Sequence, residues 1–136
     1  MNKRIAKRTL FLTIVAAYPL SAAQKSPNIV VILADDLGYG SANCCGADVQ
    51  HIRTPHIDRL AKEGIQFLNA YAPGSVCSPT RYALLTGRYA WRGRLQYGVL
   101  SPPEGPLLIE PKLLTLPEYL KDHGYQTAHI GKWHLG

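Results

Sequence analysis

The sequence predicts an α/β fold with a largely parallel sheet. Three observations carry that expectation. A continuous β-branched run, Ile29 to Ala34, is bounded by polar residues, the mark of a strand buried on both faces. Helical and strand-like segments then alternate along the chain. The strand-like segments are separated by helix-length stretches rather than by two-residue hairpin turns.

The elements follow in order. Residues 29–34 form the first expected strand. It runs into Asp35-Asp36-Leu37-Gly38-Tyr39-Gly40, a glycine-punctuated loop at the carboxyl end, where open α/β sheets bind ligands. Thr54-Pro55 opens a short helix, with Thr54 as N-cap, Pro55 as first helical residue and Gly64 just past the end. Ile57, Leu60 and Ala61 share one face at helical spacing. Ile65 to Tyr71 reads as a second strand. A loop, Ala72 to Val76, precedes a helix that starts around Cys77-Ser78-Pro79 and ends near Gly87. Residues 88–112 are rich in Gly, Pro and Arg and read as a long irregular surface loop. Thr115-Leu116-Pro117-Glu118 is a capping box for a third helix, Leu116 to His123, closed by Gly124. Tyr125 to Ile130 is the third strand, followed by Gly131-Lys132-Trp133-His134-Leu135-Gly136.

Charge needs a positional reading. The 136 residues carry 15 Lys and Arg against 9 Asp and Glu, a formal net charge of +6. Such a balance invites a nucleic-acid or membrane-surface partner. Four of the positive charges (Lys3, Arg4, Lys7, Arg8) stand at the start of residues 1–23, before a short apolar run and the small residues Ser21-Ala22-Ala23. That is the pattern of a secretory signal peptide, and its apolar stretch is shorter than the roughly 20 residues of a membrane span. Without it, 11 basic and 9 acidic residues remain, a net of +2. The expected protein is therefore exported, periplasmic or extracellular, with no stable membrane span and no nucleic-acid partner. Arg88, Arg92 and Arg94 beside Tyr89 and Trp91 are read as lining a cleft for an anionic substrate.

Three clusters carry chemistry. Adjacent carboxylates, Asp35-Asp36, repel each other unless a cation or strong donors lie between them, and hard oxygen ligands suit Ca²⁺ or Mg²⁺. An acid pair that merely shapes a turn is the alternative. Cys77 sits where a helix N-terminus favours negative charge, and Arg81 stands one turn on along the same face. A buried structural cysteine with a surface arginine is the alternative there. Lys132 offers a cation for anionic oxygens, and His134 can donate or accept a proton near neutral pH. Taken alone, these two also fit an ordinary solvated loop. The three cysteines, Cys44, Cys45 and Cys77, make an odd count. In an oxidising compartment at least one is unpaired within the chain, and a vicinal Cys44–Cys45 disulfide is strained.

Together these residues resemble the sulfatase family. Ser75-Val76-Cys77-Ser78-Pro79-Thr80-Arg81 through Gly87 is similar to its first signature, and Gly124 through His134 to its second. Pro27 through Gly40 resembles the family's first strand and metal loop, and Thr54 through Ala61 its following helix. The resemblance implies an alkaline-phosphatase-like sheet with flanking helices, of which residues 24–136 are the N-terminal part. It implies a sulfuric ester hydrolase acting on an aryl sulfate or sulfated glycan. Asp35, Asp36 and residue 77 would be ligands of a divalent cation, Ca²⁺ or else Mg²⁺. Cys77 would be converted to Cα-formylglycine by a formylglycine-generating enzyme. One hydroxyl of the hydrated aldehyde would attack sulfur, and the other would later expel sulfate. Arg81 would stabilise that hydrate, Lys132 would bind the sulfate group, and His134 would hydrogen-bond the hydroxyl of residue 77.

Two rivals accompany this reading: a phosphonate or phosphate ester hydrolase of the same superfamily, and a non-catalytic truncated product. The family's remaining metal ligands and a further His and Lys lie beyond the second signature, so the expectation is an incomplete site without activity of its own. Ser41 stands where family members often carry an acid, and Cys44-Cys45 has no role in this reading.

Overall fold

A computed structural model describes residues 26–101 and 106–136. The expected signal peptide, residues 1–23, lies outside the described residues. The chain divides into two compact units between Ile32 and Leu33. The described part of the first, residues 26–32, carries neither helix nor ladder.

The second unit holds three α-helices: α1, Pro55–Glu63; α2, Cys77–Thr86; and α3, Leu116–Asp122. Short 3₁₀ turns stand at Tyr39–Ser41, Asn43–Cys45 and Ala90–Arg92. All three expected helices are present. For α3 the capping box forms as the sequence predicts: Thr115 Oγ1 accepts from the Glu118 amide, and Glu118 Oε2 accepts from the Thr115 amide at 2.9 Å. These bonds, the Thr115 amide's above all and then its hydroxyl's, hold the Glu118 carboxyl below its usual range.

Thr54 departs from its expected role. Its hydroxyl makes no cap bond to the start of α1. It accepts from the Asn43 amide at 2.8 Å and donates to Asp58 Oδ1 at 3.0 Å. Asp58 Oδ1 also accepts from the Cys44 amide at 2.8 Å. Asn43 reaches back to the Thr54 amide at 2.9 Å. This polar clasp fastens the loop after the acid pair to α1.

The three expected strands pair in no ladder among the described residues. The physical reason is visible in their exposure. A doubly buried strand needs neighbours on both edges and helices on both faces. Here Val30, Ile32 and Ile130 are 81%, 85% and 95% exposed, so nothing covers them. The apolar face of α1 is also open, with Ile57 and Leu60 exposed.

The core lies elsewhere. Tyr82 of α2 packs with Ala90, Leu100, Leu108 and Leu135. Three of these five come from the stretch expected to be a surface loop. It is irregular, as predicted, but it is not all surface: Ala90, Leu100 and Leu108 are buried. Apolar side chains spaced widely along an irregular segment carry no helical or strand period, so pattern reading passes over them.

Candidate active site at the start of α2

α2 begins at Cys77 itself, with Val76 in extended backbone before it and no side-chain cap. The free amides of the first turn therefore face the same region as the Cys77 side chain. Pro79 falls in that turn, where a missing N–H costs no helical bond. The preceding loop is pressed against the helix. Thr80 Oγ1 donates to the Gly74 carbonyl at 2.8 Å, and a Cβ on Gly74 would stand 2.7 Å from Pro79 Cβ. Only glycine permits that approach.

Ser78, the next residue, is fully buried. Its hydroxyl donates to the His134 carbonyl at 3.0 Å and accepts from the Leu100 amide at 3.2 Å. His134 Nε2 donates to the Leu100 carbonyl at 3.0 Å. Leu108 and Leu135 join through a backbone bond of 2.8 Å. Ser78 is thus the peg on which the chain's last segment hangs beside Cys77. Gly131, at φ 102°, supplies the left-handed bend that turns Lys132 toward the helix start.

The polar groups converge on Cys77. Lys132 Nζ donates to Cys77 Sγ at 3.2 Å and to Asp35 Oδ2 at 2.7 Å. Arg81 Nη2 reaches the same Asp35 oxygen at 3.3 Å, and Arg81 Nη1 donates to the Lys132 carbonyl. Cys77 Sγ lies 3.6 Å from Asp35 Oδ1. The Lys132 ammonium, bonded to Asp35, holds that carboxyl below the usual range. In return Asp35, and after it Cys77, push the Lys132 amine upward. The Arg81 side chain is only 11% exposed, so its guanidinium is a fixed positive charge at this spot.

Ligand atoms of Asp35, Asp36 and Cys77 all lie within 4.8 Å of one another. Asp36 takes φ 55°, a left-handed conformation that Asp tolerates. Two carboxylates fit a hard divalent cation, whereas a thiol does not; an oxygen-bearing side chain at position 77 would make the set uniformly hard. A cleft of about 240 Å³ opens over Asp35, Asp36, Cys77 and Arg81. A larger one, about 550 Å³, is lined mainly by apolar groups of residues 71–73 and 80–89 and lacks this charge constellation.

Five of the six residues singled out by sequence therefore share one cluster. His134 is placed differently. Its Nε2 is engaged by Leu100, its buried Nδ1 has no partner, and it makes no hydrogen bond to Cys77. The 88–94 segment begins at the far end of α2, roughly 14 Å along the helix from Cys77 at 1.5 Å per residue. Tyr89 and Trp91 stack there at 4.0 Å between ring centroids. Sequence reading missed Ser78 and the Asn43–Thr54–Asp58 clasp, because a single small polar residue inside a motif carries no pattern of its own.

Comparison with known proteins bears on the same residues. A family model described as Sulfatase matches residues 27–136. The chain is 46% identical over 112 residues to an N-acetylgalactosamine-6-O-sulfatase of Bacteroides thetaiotaomicron, covering 82% of this chain and 21% of that protein. It is 45% identical over 132 residues to arylsulfatase A of Homo sapiens, covering 96% of this chain and 25% of that protein. It is 43% identical over 136 residues to steryl-sulfatase of Mus musculus, covering 94% and 21% respectively. The chain thus spans about a fifth to a quarter of the length of these curated relatives. Since the matched region takes in Asp35, Cys77, Arg81 and Lys132 together, the chain belongs to the sulfatase family.

Proposed function

We propose that these residues form the nucleophile-bearing part of an exported sulfuric ester hydrolase. The observation that carries the proposal is the convergence of Lys132, Arg81 and Asp35 on the side chain of Cys77 at a helix start. Membership of the family implies an alkaline-phosphatase-like fold, and the parallel sheet is part of the proposal.

The roles follow from the chemistry of each group. Lys132 and Arg81 set two positive charges beside residue 77, where a sulfate group's oxygens would lie. The free amides at the start of α2 add to that field. Arg81 favours the deprotonated form of a hydroxyl at position 77. Asp35 orients both cations now and, with Asp36, would hold the divalent ion, Ca²⁺ or Mg²⁺, that supplies further neutralisation of sulfate oxygens when bound. Residue 77, converted to formylglycine by a formylglycine-generating enzyme, supplies a geminal diol, whose second hydroxyl releases sulfate without a separate water attack. His134 Nδ1, buried and unpartnered, is the nitrogen left to bond such a hydroxyl.

Two carboxylates fall short of the six to eight oxygens that calcium takes. The proposal therefore gives this chain no sulfatase activity by itself. Turnover of an aryl sulfate is expected only from a chain extended to the length of the relatives, and should be lost on Cys77→Ala. Metal-dependent aryl sulfate turnover by the 136-residue chain would refute the incomplete-site reading. An extended chain that prefers an aryl phosphate or phosphonate would refute the sulfate assignment.

A further inference from the structure

Cys44 and Cys45 take no part in the cluster around Cys77. They are neighbours on the 3₁₀ turn Asn43–Cys45, both half-buried and both free. Their sulfurs face each other at 3.8 Å. The turn that carries them is held from several sides. The Asn43 amide bonds Thr54 Oγ1, the Cys44 amide bonds Asp58 Oδ1, and the Cys45 amide bonds the Ala42 carbonyl at 2.9 Å. Gly46 and Ala47 close the turn through further backbone bonds at 3.0 Å. The sulfur pair is therefore presented by a braced backbone.

We propose that Cys44 and Cys45 form a two-thiolate site for a soft divalent metal ion of the Zn²⁺ or Cd²⁺ class. Two arguments carry this. The first is geometric. An ion about 2.3 Å from each sulfur of a pair 3.8 Å apart subtends an angle of about 111°, close to one edge of a tetrahedron. The second is chemical. The alternative use of the pair, a disulfide, requires the sulfurs to close to about 2.05 Å across a single peptide unit, which is strained. Soft thiolates select Zn²⁺-class ions over the hard cation suited to Asp35 and Asp36, so the two sites do not compete for one metal.

On binding, each Sγ–H bond breaks, its proton goes to solvent, and the sulfur's electron pair forms the bond to the metal. Water fills the other two positions. Burial, and then the neighbouring Cys45 thiol, push the Cys44 thiol up, and because binding releases protons, affinity rises with pH. Gln66 Nε2, 3.6 Å from Cys45 Sγ and 3.3 Å from the Cys44 carbonyl, caps the pair and would report its occupation.

The test uses the full chain carrying Cys77→Ser, so that the third thiol is absent. Cd²⁺ is titrated in under reducing conditions, and the ultraviolet thiolate-to-cadmium charge-transfer band is followed, with Zn²⁺ as competitor. The expected result is saturation at one ion per chain and displacement by Zn²⁺. Adding either Cys44→Ser or Cys45→Ser should weaken binding roughly a hundredfold, because chelation by a pre-held pair is lost. No saturable band, saturation at half an ion per chain, or a single-serine variant that binds as well as the parent would each overturn the proposal. Circular dichroism of the variants separates lost ligation from lost folding. The outcome is independent of whether the chain serves a sulfatase.

Discussion

Replacing Ser78 by alanine should be among the most damaging small substitutions in this chain. The hydroxyl is fully buried and is the partner of two backbone groups, the His134 carbonyl and the Leu100 amide. Alanine fills the space but bonds neither. Each buried backbone group left without a partner costs about 1–3 kcal/mol. The Leu100 bond is the longer of the two at 3.2 Å, which places its share at the low end. The pair together should cost roughly 2–4 kcal/mol. Urea unfolding of the full chain, followed by tryptophan fluorescence, would read this as a midpoint lowered by roughly 1.3–2.7 M for a slope near 1.5 kcal/mol/M. Thr86→Ala is the control. Its hydroxyl bonds back to the Tyr82 carbonyl within the same helix and accepts from the solvent-exposed Arg88 amide at 3.3 Å, which water can replace, so its loss should stay within about 0.5 kcal/mol. Faster hydrogen exchange at the Leu100 amide should accompany the Ser78 change. A Ser78→Ala chain no less stable than Thr86→Ala, with Leu100 exchange unaltered, would refute the peg.

Asp35→Asn should let the Lys132 amine fall back toward its ordinary range, read by NMR of its side-chain nitrogen; an unmoved titration would show that Asp35 is not the cause. The same pair gives stability a pH window. Asp35 is depressed, so its contribution is complete above the unfolded carboxylate pKa, about 3.9, and fades as pH falls through the lower folded value. Lys132 is raised, so its contribution is complete below about pH 10.4 and fades as pH climbs through the higher folded value. The Asp35→Asn chain should lose pH sensitivity at both ends. Gly74→Ala sets a methyl group 2.7 Å from the rigid Pro79 ring and should cost about 1–3 kcal/mol in urea unfolding; a neutral outcome would mean the loop is not pressed against α2. Thr115→Ala removes the cap of α3 and should cost about 1 kcal/mol, visible as faster exchange of the Glu118 amide.

What the sequence revealed depended on how local the cause was. The capping box of α3 and the start of α2 at Cys77 are set by residues within one helical turn, and both stand where the sequence puts them. The acid pair, Cys77, Arg81 and Lys132 were legible because a motif binds charge type to position; the fold brings Asp35, Cys77, Arg81 and Lys132 within hydrogen-bond reach and sets Asp36 within 4.8 Å of Asp35 and Cys77. Two things were not legible. Ser78, Leu100 and Leu135 make up a core that joins segments 22 to 57 residues apart, and no short-range period announces such pairing. The sheet is the second. Ile29 to Ala34 reads as a strand to be buried on both faces, yet burial needs partners, and Val30 and Ile32 remain open to solvent. Local pattern states what a segment requires, while only long-range contacts supply it.

The central claim is that Cys77 is handled as the nucleophile of a sulfatase, and one measurement bears on it most directly. The chain is produced together with a formylglycine-generating enzyme, and the peptide containing residues 75–81 is weighed. The expected result is replacement of the Cys77 side chain CH₂SH by an aldehyde, with Cys44 and Cys45 left as thiols. An intact thiol at Cys77 under conditions that convert a known sulfatase would contradict it.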